Sequence, residues 1–348
     1  MCRGRHWPSA NTLQAQCDAP LPRSRANMTF RAAGAKRKTT MAKTPIHFIG
    51  FLANTDPSVK GLRMGERYTV EYRSNDYITP FLRMLDSHYG FETAMGVLSR
   101  SSCCVIGTDI AQFEATPQGG VAIRPSVLTE VHKFVQDKCR LLRLFKEGNI
   151  VLAYSFLYHL SDTNEEPKPF AFAREYPIVD TTKLALTPSE FFEAESFIQT
   201  VSLPLAEPSL DLALESLEQS YEVQDTRLAF LSLMIGMEAT LGPEGATTEI
   251  TRQISRNAAV LLGATPSESD EIFARLKTLY AKRSKIVHGV TPTKHKDRLQ
   301  REDLFILRHY LRTTIKILRT VSESREETLA RLNRCAFGSR PFTPPTVR

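Results

Sequence analysis

The sequence predicts an α+β protein in which an N-terminal mixed α/β region precedes a C-terminal α-helical bundle. Short apolar or alternating runs rich in β-branched and aromatic residues recur between residues 46 and 180, which is typical of strands. At Thr187, the series Thr-Pro-Ser-Glu is a capping box with proline at the first helical position. From there to about residue 333, apolar residues recur with helical spacing between short Gly, Pro and Ser breaks, which favours a bundle.

Residues 1–45 are basic and show no apolar periodicity. They contain nine Lys or Arg residues and the single acid Asp18, so we expect them to be disordered. Three interpretations stay open: a start that is too long, since structure is predicted to begin just after Met41; an Arg-rich organellar targeting segment; or a basic tail. The segment lacks the continuous apolar stretch of a secretory signal.

Residues 46–186 are predicted to form the mixed α/β domain, with a possible sensing or regulatory role. Strands are predicted at 46–52, 103–113 and 150–160, and a further half-buried strand at the alternating Tyr68, Val70 and Tyr72. A helix is predicted from Val127 to Phe145, with Gly148 as its stop signal. Turn signals at 75–76, 119–120 and 161–169 separate these elements.

Residues 187–334 are predicted to be helical, and 335–348 to be a flexible tail. After the helix that begins at the capping box, the predicted helices are 209–221, 225–241, 247–262, 266–287, 301–320 and a charged helix at 323–334. Neither region contains a phosphate-binding glycine loop, a metal-ligand spacing or a nucleophile elbow. The sequence therefore predicts no metal and no cofactor.

Charge and cysteine usage indicate a compartment and a class of partner. Residues 272–319 contain 13 basic and three acidic side chains, a concentration suited to a polyanion. The six cysteines show no C-x-x-C pair, which fits a reducing, cytoplasmic environment and argues against a cysteine zinc site. No apolar run is long enough to span a bilayer, so we expect no membrane partner.

Two charged residues interrupt apolar stripes on two of the predicted helices. Leu276, Tyr280 and Arg283 follow one another at spacings of four and three, and Glu238 follows Met234 at a spacing of four. A lone charge in a core costs several kcal/mol, whereas two opposite charges are tolerated together. We therefore predict that Glu238 and Arg283 meet across the bundle.

His288 lies five residues after Arg283, which is about 140° further round an ideal helix. The two side chains can converge only if the helix unwinds or if they meet partners from a second subunit. Gly289 directly after the histidine is typical of a helix end.

A row of arginines follows the helix predicted at 301–320. Arg301, Arg308, Arg312 and Arg319 are spaced by seven, four and seven residues, which places them within about 20° of one line on the helix surface. Such a row without interleaved acids is suited to a phosphate backbone. The alternative is a solvated helix face. Lys285 and Arg256 complete the predicted RNA-binding set.

Residues 205–330 resemble the Apea-like branch of the HEPN domains. The resemblance is carried by the helix that contains Glu238 and by the later series L-Y-A-K-R-S-K-I-V-H-G, in which Arg283 and His288 form the R-x4-H motif. It implies a helical homodimer in which two such motifs face each other, and in active members a metal-independent endoribonuclease.

The resemblance also implies a role for each motif residue. His288 is then the acid or base at the ribose 2′-hydroxyl, Arg283 holds the scissile phosphate, and Glu238 orients Arg283. Many active members have Asn, Asp or His where this chain has Ser284. Members of the branch are common in bacterial defence and abortive infection, which implies a trigger or antitoxin-like partner. The second interpretation is a non-catalytic HEPN module for dimerisation or for nucleotide or RNA binding.

Overall fold

An antiparallel sheet and a set of packed helices make up the fold. The computed structural model describes residues 43–90, 96, 103–115, 121–122, 126–161, 166–174, 180–243, 249–290 and 298–342. Within these ranges the strands are β1 Lys43–Ala53, β2 Arg63–Gly65, β3 Tyr68–Glu71, β4 Cys103–Ala115, β5 Val121–Ala122, β6 Val151–Leu160 and β7 Pro167–Arg174. The helices are α1 Asn75–Tyr89, α2 Ser126–Phe145, α3 Pro188–Thr200, α4 Pro208–Glu222, α5 Thr226–Leu241, α6 Ile250–Leu262, α7 Pro266–Val287, α8 Arg301–Leu318 and α9 Arg325–Arg334.

The α+β class predicted from the sequence is confirmed. The predictions for residues 1–42, for the turn at 119–120 and for the end of the tail lie outside the described residues.

Strand β1 lies at the centre of the sheet. The strand order is β2-β3-β4-β1-β6-β7, and the short β5 pairs with β4. All pairings between these strands are antiparallel. Against β6, the register of β1 shifts between Phe51 and Leu52.

The two faces of the sheet belong to different hydrophobic clusters. On one face, Ile49 and Phe51 of β1 pack with Phe81 of α1 and with Phe156 of β6. The residues of β1 on the opposite face join a larger cluster that includes α2 and the C-terminal helices. Burial on both faces explains why the sequence of β1 is an almost continuous apolar run.

Four elements were not predicted from the sequence: helix α1, strand β7 and the short strands β2 and β5. Helix α1 begins where a turn was predicted, because Ser74 caps it by accepting a hydrogen bond from the Tyr77 N–H, and polar residues favour helix caps as much as turns. Strand β7 lies in a segment that was partly assigned to a polar turn. It is an edge strand, where proline is tolerated because one side of the backbone has no partner strand.

The C-terminal helices follow their predicted positions closely. Helix α7 spans Pro266–Val287 as predicted, and α8 begins at Arg301 as predicted. At the start of α3, Thr187 accepts from the Glu190 N–H while the Glu190 carboxylate accepts from the Thr187 N–H, which confirms the capping box.

The sheet and the helices share a hydrophobic core. The larger cluster contains Leu142 of α2 and Leu152 of β6 together with Leu214 of α4 and Leu311 of α8. The described residues from 43 to 342 belong to one compact unit, and their buried contacts continue across the predicted boundary at residue 187. The sequence cannot show this continuity, because each segment provides only one side of the contact.

The start of the predicted flexible tail packs against the helices, which corrects that prediction. The Gly338 N–H donates to Ser269 Oγ at 3.0 Å, and Phe342 is buried. The tail contains no helical pattern, yet Phe337 and Phe342 pack against the hydrophobic core of the helices.

Candidate nucleic-acid interface

The end of α7 positions the predicted motif. The helix stays regular to its last residue, since the His288 N–H donates to the Ser284 carbonyl at 3.0 Å. The Gly289 N–H then donates to Ile286 and the Val290 N–H to Lys285, which is the pattern of a Schellman C-cap. Gly289 has a φ of 66°, a left-handed conformation that glycine adopts without steric cost.

The predicted contact between Glu238 and Arg283 is present. Arg283 Nη2 lies 3.4 Å from Glu238 Oε1, joining α7 to α5. The two side chains are 38% and 30% exposed, so the pair lies at the edge of the core and the prediction of a core position is corrected. Beneath it, burial and the Glu238 carboxylate raise the pKa of Tyr280.

His288 is the exposed cap residue of α7. Its side chain has no hydrogen-bond or ion-pair partner among the residues that the structure describes. Because α7 does not unwind before Val287, one of the two routes by which His288 and Arg283 could converge is absent. Within a single chain the two side chains therefore leave the helix in different directions.

A cleft of about 690 Å³ lies beside this helix end, between α4, α5, α7 and α8. Lys282, Lys285, Gly289 and Val290 form its α7 side, and Arg301 lines it from the start of α8. Among the described residues, the charged side chains that line the cleft are six bases and one carboxylate: Arg227, Lys282, Lys285, Arg298, Arg301, Arg308 and Asp180. This excess of positive charge makes the cleft a candidate site for phosphate groups.

Two of these arginines are available to a ligand. Arg298 and Arg301 are exposed, and their guanidinium groups have no partner within the described ranges. The N-terminus of α8 adds a positive dipole end at the same place. The cleft therefore combines unpaired side-chain cations with a helix end that favours anions.

A buried carboxylate fixes the position of one of the cations that line the cleft. Asp303 is 1% exposed and accepts hydrogen bonds from Lys282 Nζ at 2.7 Å, from Arg275 Nη2 at 3.2 Å and from the Gln300 N–H at 2.8 Å. These contacts tie the last turns of α7 to the first turn of α8. Lys282 consequently has a fixed position at the wall of the cleft.

The arginine row does not form a continuous surface. Arg308 is buried, donates to Asp180 Oδ2 at 2.8 Å and to Ser220 Oγ at 3.0 Å, and stacks on Tyr221 with 3.8 Å between the guanidinium carbon and the ring centroid. Arg312 is also buried and donates to Glu147 Oε2 at 2.6 Å. Both predictions for the row, a phosphate-binding face and a solvated face, are corrected for these two residues.

Two other members of the predicted RNA-binding set, Arg256 and Arg319, contact other parts of the same chain. Arg256 donates to the carbonyls of Leu332 and Cys335, at 2.7 and 2.8 Å, and so holds the end of α9. Arg319 is half-buried and stacks on Phe197 at the opposite end of α8 from the cleft. Arg301 and Lys285 are the members that lie in the cleft, where Arg308 contributes to the wall.

Sequence reasoning missed Arg227, Lys282, Arg298 and Asp303. Lys282 and Arg298 could have been predicted, because both lie in the strongly basic segment 272–319. Nothing in a single helix could identify Arg227, which reaches the cleft from the first turn of α5.

Comparisons with protein-family models, with curated proteins and with solved structures find no match to this chain. Among the described helices, none has the length and apolar content required to cross a bilayer. The part of the chain that the structure describes contains no cluster of three or more His, Cys, Asp or Glu side chains arranged for a metal ion.

Proposed function

We propose that this protein is an endoribonuclease of the HEPN type that cleaves RNA by transesterification at the ribose 2′-hydroxyl. His288 carries the proposal: it is exposed at the end of α7, and the next two residues, Gly289 and Val290, line the basic cleft. A histidine in this place can exchange a proton with a 2′-hydroxyl while the cations beside it hold the RNA backbone.

In this mechanism the cleft binds phosphates that flank the scissile bond. Arg298, Arg301 and Lys285 contact the backbone, and Lys282 provides a fixed positive charge in the wall. Arg283 stabilises the charge that develops on the scissile phosphate, and Glu238 orients its guanidinium. The proton transfer and the charge stabilisation both come from side chains, so the proposed reaction requires no metal.

A homodimer brings Arg283 and His288 of different subunits together. The surface beside the motif contains the apolar residues Leu228 and Ile235 of α5 and Val287 and Val290 at the end of α7, each about half exposed. Burial of these side chains against a second copy provides a driving force for association. It also places the motif of one protomer opposite that of its partner.

We place this activity in the cytoplasm, in bacterial defence or abortive infection. The sheet and α1–α2 act as the part that senses a trigger or an antitoxin-like partner. The buried contacts between the sheet and the helices give a physical route between the two parts.

A second candidate is a non-catalytic module that dimerises or binds RNA or nucleotides. It is favoured by the position of Arg283, which lies outside the lining of the cleft and is paired with Glu238. In that case the cleft binds phosphate and His288 has no chemical role.

Cleavage of single-stranded RNA by the purified full-length chain, with and without EDTA, tests the proposal. We expect fragments that end in 2′,3′-cyclic phosphate, and no fragments from His288→Ala, whose melting temperature stays at the wild-type value because the side chain is exposed. His88→Ala is the matched control, since His88 is also exposed on a helix but belongs to α1. Expression of the same variants in bacteria provides the second readout.

Growth inhibition relieved by His288→Ala and not by His88→Ala supports a catalytic histidine even where a trigger is missing in vitro. Cleavage that survives His288→Ala, or the absence of both cleavage and toxicity, contradicts the nuclease. RNA binding that persists in His288→Ala without cleavage in the wild type favours the second candidate.

A further inference from the structure

A second cavity, of about 460 Å³, lies at the other end of α8. It opens between the segment that joins α3 to α4 and the segment that joins α8 to α9. Its volume is in the range of small-molecule sites. Its lining is mixed, with ten polar or charged residues and seven apolar ones, which are Val201, Pro204, Leu205, Ala206, Leu210, Leu318 and Val321.

Arg319 lines this cavity and has no counter-charge. Its Nε is buried without a hydrogen-bond partner, and the guanidinium has no carboxylate at ion-pair distance among the described residues. One face of the group stacks on Phe197, with 4.7 Å between the guanidinium carbon and the ring centroid. Burial lowers the pKa of Arg319.

Two buried arginines of α8, in contrast to Arg319, each have a carboxylate partner. Arg308 pairs with Asp180 at 2.8 Å, and Arg312 pairs with Glu147 at 2.6 Å. A half-buried guanidinium without such a partner loses hydration and gains no ionic hydrogen bond in return. An anionic ligand in the cavity supplies the missing partner.

The remaining charged groups around the cavity are already engaged. Glu207 accepts a hydrogen bond from the Ser209 N–H at 3.2 Å, and Glu323 pairs with Arg331 at 2.6 Å. Arg325 donates to the Ala239 carbonyl at 3.0 Å. Arg319 is thus the cation in the lining that is left to bind an anion.

We propose that this cavity binds a small monocarboxylate with an apolar body, such as a medium-chain fatty acid. The carboxylate forms a bidentate pair with the Arg319 guanidinium, and the hydrocarbon body packs against the apolar residues of the lining. A single unpaired cation matches one negative charge, whereas a phosphate dianion would keep one negative charge without a partner. A volume of about 460 Å³ suits a ligand of this size.

This site is separate from the proposed nuclease. Arg319 follows the last residue of α8, and Arg301 is the first, so the two lie about 27 Å apart along the helix axis. The inference does not depend on RNA cleavage. Its failure and the failure of the nuclease proposal are therefore distinguishable.

Calorimetric titration of the full-length chain with octanoate and with octanol tests the inference. We expect octanoate to bind, and octanol, which lacks the charge, to bind at least about tenfold more weakly. Arg319→Met keeps an apolar stem and should reduce octanoate affinity by a similar factor without changing octanol affinity. Arg334→Met is the matched control, because Arg334 is exposed and its guanidinium donates to the Ala330 carbonyl of its own helix.

A second variant keeps Arg319 and fills the cavity. Ser202 is exposed on the lining, so Ser202→Trp should block entry and weaken both ligands. Absence of octanoate binding at millimolar concentration contradicts the inference. So does octanoate binding of equal affinity in the wild type, in Arg319→Met and in Ser202→Trp.

Discussion

Arg312 Nη2 lies 2.6 Å from Glu147 Oε2 and joins α8 to the segment after α2, 165 residues earlier in the chain. The same guanidinium donates to the Tyr221 hydroxyl at 2.8 Å, and that hydroxyl donates to Glu147 Oε1 at 3.0 Å. Three side chains from the two halves of the sequence thus satisfy one another in the interior. Because its guanidinium is buried in this network, Arg312 stabilises the fold and cannot contact a nucleic acid.

Arg312→Ala should therefore destabilise the protein strongly. The substitution leaves Glu147 partly unpaired in the interior, so we expect the free energy of unfolding to fall by about 3 kcal/mol or more. Arg301→Ala, from the same predicted row, should cost under about 0.5 kcal/mol because Arg301 is exposed and unpaired among the described residues. Urea denaturation measures both values. Equal costs for the two substitutions contradict the assignment.

Arg283→Ala should have a small effect on stability. The Glu238–Arg283 pair is about one third exposed, so water replaces the lost partner and the cost should stay within about 1 kcal/mol. On the nuclease proposal, the same substitution abolishes RNA cleavage. Denaturation and cleavage assays on one preparation separate the two effects. A loss of several kcal/mol contradicts a pair at the edge of the core.

Removal of two cleft arginines should weaken RNA binding in a salt-dependent way. For Arg298→Ala/Arg301→Ala we expect lower affinity for single-stranded RNA, and a slope of log K against log salt that is shallower by about 1.4, or about 0.7 for each lost phosphate contact. Arg252→Ala/Arg334→Ala removes the same charge from exposed helix positions outside the cleft. Equal slopes in the two double variants contradict the cleft as the RNA path.

Lys316 should make stability depend on pH in the alkaline range. Burial, followed by the nearby charges of Arg312 and Arg319, lowers the pKa of Lys316 from 10.5 to about 8. Between these two values the unfolded chain binds more protons than the folded chain, so the free energy of unfolding should rise with pH across that window. Below that pH window, Lys316 is charged in the folded chain and the cost of burying the charge lowers the free energy of unfolding in full.

Lys316→Met provides the control for that measurement. The variant has no ammonium group to titrate, so the difference between wild type and variant isolates the lysine. Urea denaturation at several pH values across the window gives this difference. The free energy of unfolding of the wild type minus that of the variant should rise with pH. A value that stays constant or falls contradicts the lowered pKa.

The sequence by itself determined the elements with strong local signals. The capping box at Thr187 and the glycine after His288 specify backbone conformation through nearest neighbours, and both have the predicted geometry. The contact between Glu238 and Arg283 could also be predicted from the sequence, because each charge interrupts an apolar stripe and the stripes indicate which helix faces meet.

Tertiary structure alone decided what the charged residues of α8 do. The row looked free of acids because its acids, Asp180 and Glu147, come from segments far away in the sequence. Periodicity identifies one face of a helix but not the residues that cover it. Long-range packing therefore buried Arg308 and Arg312, left Arg301 in the cleft, and placed Arg319 beside a cavity, where no described carboxylate lies at ion-pair distance from it.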